Sequence, residues 1–227
     1  MKKIVVLTGA GISKESGINT FRDTGGTWEQ YDVMEVASIQ GWHKNPALVL
    51  DFYNQRRRAL DTVVPNPAHL ALVELESKYE VTIITQNVDD LHERAGSSNI
   101  LHLHGELRKM RSTVYPYAVV DCNRDIEIGQ LCENGGQMRP FIVWFGEDVP
   151  MIDKAVQICH EADIFIIIGT SLQVYPAAGL IDVVPRNAAK YIIDIELPEI
   201  KSYANLKGIK ESAAIGIPKL VASLLSI

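Results

Sequence analysis

The sequence lacks the features that mark secreted, membrane-spanning and nucleic-acid-binding proteins. Its 227 residues include only three cysteines, Cys122, Cys132 and Cys159, and an odd number without regular spacing argues against a disulfide framework and favours a reducing compartment. No apolar run approaches the length of a membrane span, and we see no room for a signal peptide before the first apolar strand. The formal net charge of -6 gives no electrostatic reason to expect nucleic acid as a ligand. We therefore expect a cytoplasmic monomer without nucleic-acid or membrane partners.

The GxGxxG fingerprint of nicotinamide-dependent dehydrogenases is also missing, which argues against a hydride-transfer enzyme. What the chain does contain is a large apolar fraction. Hydrophobic residues make up 47% of it, enough for the core of one domain, or of one main domain with a small appendage.

The most informative stretch joins a buried strand to a pair of glycines. Residues 3–8 (KIVVLT) form the short, β-branched apolar run of a strand that is covered on both faces. Gly9 and Gly11 follow, and glycines can take positive φ and let an anion approach the main chain, while a helix after them would direct free N–H groups at that anion. On these residues alone, a dinucleotide pyrophosphate cradle and an ordinary strand-to-helix turn both stay open.

The rest of the chain alternates apolar strands with helical segments. Strands are predicted at 81–85, 100–104, 164–168 and 191–196, and helices at 46–60, 68–79, 91–95, 153–162, from about 176, and at 217–225. This alternation predicts an α/β fold with a doubly wound, parallel, Rossmann-like sheet. Polar or glycine-rich turns follow four of the strands, and such strand ends converge on one crevice, so the dinucleotide interpretation gains.

Several polar residues near these strand ends have both a structural and a functional interpretation. Asp89 or Asp90 could simply cap the helix at 91–95, although capping does not account for Gln86 and Asn87. Strand alternation places His102 and His104 on one side, and His104, at the strand end, is either a structural residue or a general base. Asp194 or Glu196 suits ribose hydroxyls. The arginines at 56–58 are, from spacing alone, typical of a solvated surface.

Two segments interrupt the strand–helix rhythm and predict a second, smaller domain made of two insertions. Residues 23–61 form a helical insertion that starts with a turn-rich loop containing Trp28. Residues 106–139 form a small β-rich module, and the main rhythm resumes with 141–147. The Rossmann-like domain then comprises residues 1–22, 62–105 and 140–227.

Taken together, the motifs resemble those of the sirtuin family, in the sirtuin order and over nearly the whole chain. They are residues 9–13 (GAGIS) with 17–22 (GINTFR), 85–89 (TQNVD), 104–107 (HGEL), 143–147 (VWFGE) and 169–176 (GTSLQVYP). The resemblance implies an NAD-consuming protein lysine deacylase. In that reaction the acyl carbonyl oxygen attacks the nicotinamide ribose carbon, nicotinamide leaves, and free lysine and O-acyl-ADP-ribose are formed.

Carried over by motif, the resemblance implies three catalytic residues: His104, the general base that activates a ribose hydroxyl, and Asn87 and Asp89 in the ribose and nicotinamide pocket. Phe21 would shield the reactive ribose from water. The cofactor-binding residues implied in the same way are Gly9, Ala10, Gly11, Ile12, Thr20, Phe21, Arg22, Trp28, Gln86, Asn87, Val88, Asp89, Gly169, Thr170, Ser171, Asp194, Ile195, Glu196 and Ala213.

For the acyl-lysine substrate, the resemblance implies a channel at Val143, Phe145 and Gly146, where an extended peptide adds as a strand. The pair Tyr53 and Arg56 matches the bacterial class related to desuccinylases and demalonylases, whose tyrosine and arginine receive the distal carboxylate of an acidic acyl chain. A guanidinium binds a carboxylate bidentately and a phenol adds a donor, so we expect succinyl- or malonyl-lysine to be accepted along with acetyl-lysine.

The sequence departs from the family pattern at the zinc site and at one cofactor position. Sirtuins normally carry two Cys-x-x-Cys pairs, but Ser112 and Tyr115 stand at the first, and Leu131 and Asn134 at the second, with Cys132 out of register. We therefore predict no zinc. The module would then be held by its own apolar residues: Val114, Tyr115, Tyr117, Val119 and Val120.

At the cofactor position, Asp194 replaces the family's usual asparagine, which adds charge and removes a donor. The alternatives to a deacylase are a protein ADP-ribosyltransferase, a non-catalytic NAD- or ADP-ribose-binding module, and a decayed scaffold. The presence of both His104 and Asn87 weighs against a silent binder.

Overall fold

The computed structural model describes residues 1–19, 31–133 and 135–226, which form two β-sheets surrounded by helices. Its strands are β1 (Lys3–Thr8), β2 (Glu80–Thr85), β3 (Ile100–His102), β4 (Gly105–Ser112), β5 (Val119–Asp121), β6 (Met138–Ile142), β7 (Ile164–Ile168), β8 (Ala189–Ile193) and β9 (Leu206–Ile209). Its α-helices are α1 (Val33–Val36), α2 (Ile39–Lys44), α3 (Pro46–Ala59), α4 (Pro67–Leu75), α5 (Leu91–Ala95), α6 (Ile152–His160) and α7 (Ala213–Ser226). Short 3₁₀ helices occupy Ala10–Ile12, Lys14–Ser16, Leu60–Thr62 and Ala177–Val183.

The larger sheet has six parallel strands in the order β3-β2-β1-β7-β8-β9. Side chains alternate along β1, so that Ile4 and Val6 join one hydrophobic cluster and Val5 and Leu7 join another on the opposite face. Helices α4 and α7 cover the first face, and α6 with the 3₁₀ helix Ala177–Val183 covers the second. The predicted doubly wound α/β fold is therefore confirmed.

The glycine turn after β1 differs from the prediction. Over the described residues 9–19 the chain forms no long helix and instead makes the two 3₁₀ turns Ala10–Ile12 and Lys14–Ser16. Gly9 has a φ of -126° and Gly11 is not among the residues with positive φ, so neither glycine is needed for a left-handed conformation. Their role is close approach to another loop, as the geometry of the cavity shows below.

Three other element predictions need correction. Residues 141 and 142 do not return to the main sheet, because they lie in β6, which pairs antiparallel with β4. Strand β3 ends at His102, two residues short of His104. The sheet also has an edge strand that was not predicted, β9. It is only four residues long and partly exposed, so its sequence shows no clear hydrophobic periodicity.

The helical segment that contains α3 and the three-stranded sheet share one hydrophobic core, to which Leu91 and Trp144 also belong. Its buried residues come from the helical segment, among them Val49 and Phe52 of α3, and from the three-stranded sheet β5-β4-β6, among them Leu107 and Met138. The predicted apolar support of the β-rich module is wrong: Val114, Tyr115, Tyr117 and Val120 are exposed, and Val119 is only partly buried. The module is held through its contact with α3 instead.

That contact is also polar and centres on Arg57. Its side chain is 1% exposed, and it donates from Nε to the Leu107 carbonyl at 2.7 Å and from Nη1 to Asn54 Oδ1 at 2.7 Å. Asn54 in turn exchanges two hydrogen bonds with the main chain of Ile126. Burial lowers the pKa of Arg57, but a guanidinium stays charged at neutral pH.

We expect Arg57→Met to lower the free energy of unfolding by about 3 kcal/mol, because buried acceptors lose a charged donor. Urea unfolding followed by circular dichroism measures this. Arg58→Met is the matched control: Arg58 is exposed and its ion pair with Asp125 lies at the surface, so a change below about 1 kcal/mol is expected. Equal effects of the two substitutions would contradict a structural role for Arg57.

Within the described ranges, no helix combines the length and the apolar character needed to cross a bilayer. The expected cellular location and oligomeric state stay predictions.

Candidate active site

A cavity of about 830 Å³ lies where the loops that follow β1, β2, β7 and β8 meet helix α3 and the segment after β6. This volume lies in the upper part of the range that is typical of small-molecule and cofactor sites. Most of the residues predicted from sequence line it: Gly9, Ala10, Gly11, Tyr53, Arg56, Gln86, Asn87, Val88, Asp89, His104, Val143, Phe145, Gly146, Gly169, Thr170, Ser171, Asp194, Ile195, Glu196 and Ala213. Position at the carboxyl ends of parallel strands is the expected place for a ligand in this architecture.

Five predicted residues are not placed at the cavity. Ile12 is fully buried in the hydrophobic cluster on one face of the sheet and does not line it. Thr20, Phe21, Arg22 and Trp28 lie outside the described residues. The shielding role of Phe21 therefore stays a prediction.

Two glycine loops interlock at the floor of the cavity. Gly9 N donates to the carbonyl of Ile168 at 2.9 Å, and Gly11 N donates to that of Gly169 at 2.9 Å. A Cβ on Gly11 would lie 2.5 Å from the Gly169 Cα, and one on Gly169, where φ is +61°, would lie 2.4 Å from the Ile12 N. Glycine is therefore required at these positions for the two loops to pack main chain against main chain, and both loops line the cavity.

The loop after β2 is fixed by hydrogen bonds to the first glycine loop. Asn87 Nδ2 donates to the Gly9 carbonyl at 3.1 Å and to Ser13 Oγ at 3.2 Å, and Ser13 Oγ donates to Asp89 Oδ2 at 2.9 Å. Since both N–H donors of Asn87 are used, its side chain offers a ligand only the acceptor Oδ1. Ser13, which is fully buried, is a positioning residue that motif reasoning did not single out.

Asp89 serves two neighbours at once. Besides Ser13, its Oδ1 accepts from the Leu91 N–H at 3.1 Å, so Asp89, and not Asp90, caps α5. Burial raises the pKa of the Asp89 carboxyl, and the bonds from Leu91 and Ser13 oppose the shift. The capping interpretation is thus correct for Asp89, and it does not exclude a place in the cavity wall.

His104 is oriented as a base would be. Its Nδ1 lies 3.1 Å from the Gln86 carbonyl, which can only accept, so Nδ1 carries the proton and Nε2 keeps its lone pair. Burial lowers the pKa of His104, and the bond to Gln86 only partly offsets this. The imidazole is therefore neutral at pH 7 and able to accept a proton.

His102 has a different role. Its Nδ1 lies 3.1 Å from the Asn87 carbonyl and its Nε2 lies 2.7 Å from Glu93 Oε1, and it does not line the cavity. Burial lowers the pKa of His102, but the hydrogen bond and the charge of Glu93 outweigh this and raise it overall. The two histidines thus bind successive carbonyls of the loop after β2, and only His104 reaches the cavity.

The three consecutive arginines of α3 have three different environments. Arg57 holds the small sheet and Arg58 lies at the surface, whereas Arg56 lines the cavity with Tyr53. Burial lowers the pKa of Arg56, with Tyr53 and Asp89 acting in the opposite direction, and burial raises the pKa of Tyr53 to about 12. A neutral phenol and a charged guanidinium therefore stand side by side in an apolar wall.

The segment after β6 forms a further part of the cavity wall. The main-chain N–H and carbonyl of Phe145 are already bonded to Ala37 and Ile39, so a peptide adding as a strand has to use the main chain of neighbouring residues. Arg139 binds both carboxylate oxygens of Glu147, at 2.6 and 2.9 Å, and Glu147 Oε2 accepts from the Trp144 N–H at 2.9 Å. This clamp makes the segment rigid.

At the far end of the cavity, Asp194 Oδ1 accepts from the Glu196 N–H at 3.1 Å. The N-terminus of α7, where Ala213 lies, is already used: Glu15 Oε2 accepts from Ala214 N at 2.8 Å. A carboxylate therefore occupies the place at which the helix could have received a phosphate.

At the first of the positions where sirtuins carry zinc-binding cysteines, the side chain makes hydrogen bonds within the protein. Ser112 Oγ accepts from the N–H groups of Val114 and Tyr115, each at 3.2 Å, and Cys132 Sγ donates to it at 3.1 Å. Asn134 lies outside the described residues. In the described part of the chain, the group of side chains that is close enough to share a metal ion is Glu93, His102 and Glu106, away from these positions, and Lys109 already neutralises Glu106.

We expect purified protein to contain zinc at well below one atom per chain. Plasma emission spectrometry on protein dialysed without chelator measures this, and unchanged thermal unfolding after chelator treatment is the expected companion result. One tightly held zinc per chain would contradict the prediction.

Comparisons with known proteins agree with this geometry. The model of the Sir2 family matches residues 9–176. A relative from Helicobacter pylori named NAD-dependent protein deacylase is 54% identical over 227 residues, which are 100% of this chain and 97% of the relative. A solved Sir2 homologue–NAD complex has a TM-score of 0.90 and 39% identity, covering 99% of this chain and 90% of that one. A Sir2 homologue variant in complex with 2'-O-acetyl ADP-ribose has a TM-score of 0.89 and 38% identity, covering 99% and 92%. The chain belongs to the Sir2 family.

Proposed function

We propose that the protein is an NAD-dependent protein lysine deacylase that removes acetyl, succinyl and malonyl groups and yields nicotinamide and O-acyl-ADP-ribose. One observation carries the proposal: the cavity brings His104, Asn87 and Asp89 beside the interlocked glycine loops in a family whose relatives are named for this activity. The enzyme relative matches this chain from end to end.

The residues present fit NAD on the chemistry of the donors. Gly9, Gly11 and Gly169 let the two loops pack main chain against main chain at the floor of the cavity, where a pyrophosphate would meet main-chain groups without intervening side chains. Thr170 and Ser171 line the same cavity. NAD, when bound, supplies the electrophilic ribose carbon that takes the acyl oxygen.

The side chains of the cavity have separate roles in the proposed reaction. His104 Nε2 accepts a proton from a ribose hydroxyl, because its Nδ1 is committed to Gln86. Asn87 Oδ1 accepts from a polar N–H or O–H group in the nicotinamide and ribose pocket, and Asp89 keeps Ser13 and so Asn87 in place. The apolar surface of Val143 and Phe145 excludes water from the lysine side chain.

The preference for acidic acyl groups rests on Tyr53 and Arg56. Arg56 is desolvated in the cavity wall, where an added carboxylate would meet a guanidinium fork and a neutral phenol. Because a buried cation gains most from an opposite charge, this wall favours succinyl and malonyl chains without excluding acetyl.

The experiment is incubation with NAD and a panel of acetyl-, succinyl- and malonyl-lysine peptides, with nicotinamide and peptide mass followed together. Nicotinamide release that requires the peptide, accompanied by loss of the acyl group, is the expected result. A peptide that gains the mass of ADP-ribose would instead identify a transferase. If NAD binds but no peptide causes nicotinamide to be released from it, the protein is a binding module.

A further inference from the structure

The segment after β6 contains a buried hydrogen-bond donor, the indole N–H of Trp144. Trp144 is 2% exposed, and within the described chain its indole Nε1 has no hydrogen-bond partner. A buried N–H without an acceptor costs free energy, so such groups are rare in native proteins and call for a physical explanation.

The indole cannot readily turn away from this position. The guanidinium carbon of Arg139 lies 3.4 Å from the Trp144 ring centre, and the Trp42 ring lies 5.3 Å away, centre to centre. The main-chain N–H of Trp144 is held by Glu147, which Arg139 binds with both of its terminal nitrogens. The donor is therefore fixed before any ligand arrives.

The indole lies beside the part of the cavity wall that Tyr53 and Arg56 form. Trp144 lines the cavity together with Tyr53 and Arg56, and the Tyr53 and Trp144 rings are 6.1 Å apart, centre to centre. The indole N–H also acts on the phenol oxygen, since it opposes the rise in the pKa of Tyr53 that burial causes. The N–H thus lies beside the hydroxyl group of Tyr53, without the geometry of a full hydrogen bond.

We propose that the indole N–H of Trp144 is a third, preorganised donor for the distal carboxylate of an acidic acyl chain, beside Tyr53 and Arg56. This inference rests on the proposed deacylase function and adds a specificity-determining residue to it. A carboxylate has about four acceptor sites, so a guanidinium, a phenol and an indole can bind it together. The ligand would then provide the acceptor that the fold does not.

Trp144→Phe tests this, because phenylalanine keeps an aromatic ring and removes the N–H. Trp42→Phe is the matched control: Trp42 packs on Trp144 in the same core and does not line the cavity. Each variant is assayed with succinyl-lysine and with butyryl-lysine peptides, which differ in the distal carboxylate. We expect Trp144→Phe to raise KM for the succinyl peptide by about ten-fold relative to the butyryl peptide, the effect of one hydrogen bond to a charged group. We expect Trp42→Phe to leave the ratio of the two KM values unchanged.

Binding without turnover gives a second readout that a packing role would not move. The chain has three tryptophans, hence three indole N–H signals in a nitrogen-15 NMR spectrum, and the one missing in Trp144→Phe belongs to Trp144. We expect the succinyl peptide, without NAD, to move this signal to higher proton frequency, and the butyryl peptide to leave it near its original position.

Equal displacement by both peptides, or a proportional loss of both activities in Trp144→Phe, would overturn the proposal. If the succinyl peptide binds and depends on Arg56 while the indole signal stays still, only the role of Trp144 fails. If the wild-type protein binds no acyl-lysine peptide, the proposed function fails and the role of Trp144 with it.

Discussion

His104→Ala is expected to lower the rate of deacylation by about a hundred- to ten-thousand-fold, the usual contribution of a general base. His104 lines the cavity with Nδ1 bonded to Gln86, and the side-chain nitrogens of Gln86 and Asn87 are amides, which cannot replace its Nε2 as a proton acceptor. Steady-state release of deacylated peptide, measured by mass spectrometry, gives the size of the effect.

The control is His102→Gln, two residues away. His102 also binds a carbonyl of the loop after β2, but it lies outside the cavity, so a loss of at most a few-fold is expected. Equal losses in the two variants would mean that both histidines act by holding the loop, and His104 would then be a positioning residue.

The same base predicts the acidic limb of the pH profile. Because burial holds the pKa of His104 below 6.5, the neutral, active form persists to mildly acidic pH, and kcat/KM should fall only below about pH 6.5. A limb with an apparent pKa above 7 would contradict the assignment.

Arg56→Met has the second large effect, on acyl selectivity. We expect kcat/KM for succinyl- and malonyl-lysine peptides to fall by about ten- to a hundred-fold, because the carboxylate loses a charged donor in a desolvated wall. Deacetylation should fall far less. The ratio of succinyl to acetyl activity, measured on one peptide sequence, is the observable.

Arg58→Met is again the control, since it removes an equal charge from the same helix at the surface. We expect it to leave the ratio unchanged. An equal loss of deacetylation and of desuccinylation or demalonylation in Arg56→Met would show that Arg56 supports the cavity without binding the distal carboxylate of the acyl chain.

The elements predicted best from the sequence are those in which local pattern and tertiary context agree. Strands β1, β2 and β7 are buried on both faces, and their apolar runs carry that information directly. Helix α3 begins at Pro46 as predicted, with Asn45 Oδ1 accepting from Leu48 N at 3.1 Å.

The remaining features depend on contacts that no local pattern encodes. The charge run 56–58 looks uniform in sequence, yet tertiary packing makes Arg56 a cavity residue, Arg57 a buried link and Arg58 a surface ion pair. The length of strand β6 and the identity of its partner strand could not be predicted from its apolar residues, because the antiparallel pairing with β4 is non-local.

Within the site, most of the described residues that the motifs indicated line the cavity, but the motifs did not point to the residues that orient them. Ser13, His102 and Arg139 act through other groups: an amide, a main-chain carbonyl and an indole. Ser13 lies inside a quoted motif, so buried position was the signal that could have found it. Nothing in the sequence connects Arg139 to Trp144.

In the proposed reaction the acyl group leaves lysine for the ribose of ADP-ribose. Mass spectrometry of the nucleotide product, formed from NAD and one succinyl-lysine peptide, tests this most directly. We expect ADP-ribose that carries the succinyl group, in equal amount to nicotinamide and free lysine peptide. Nicotinamide released with plain ADP-ribose, while the peptide keeps its succinyl group, would contradict it.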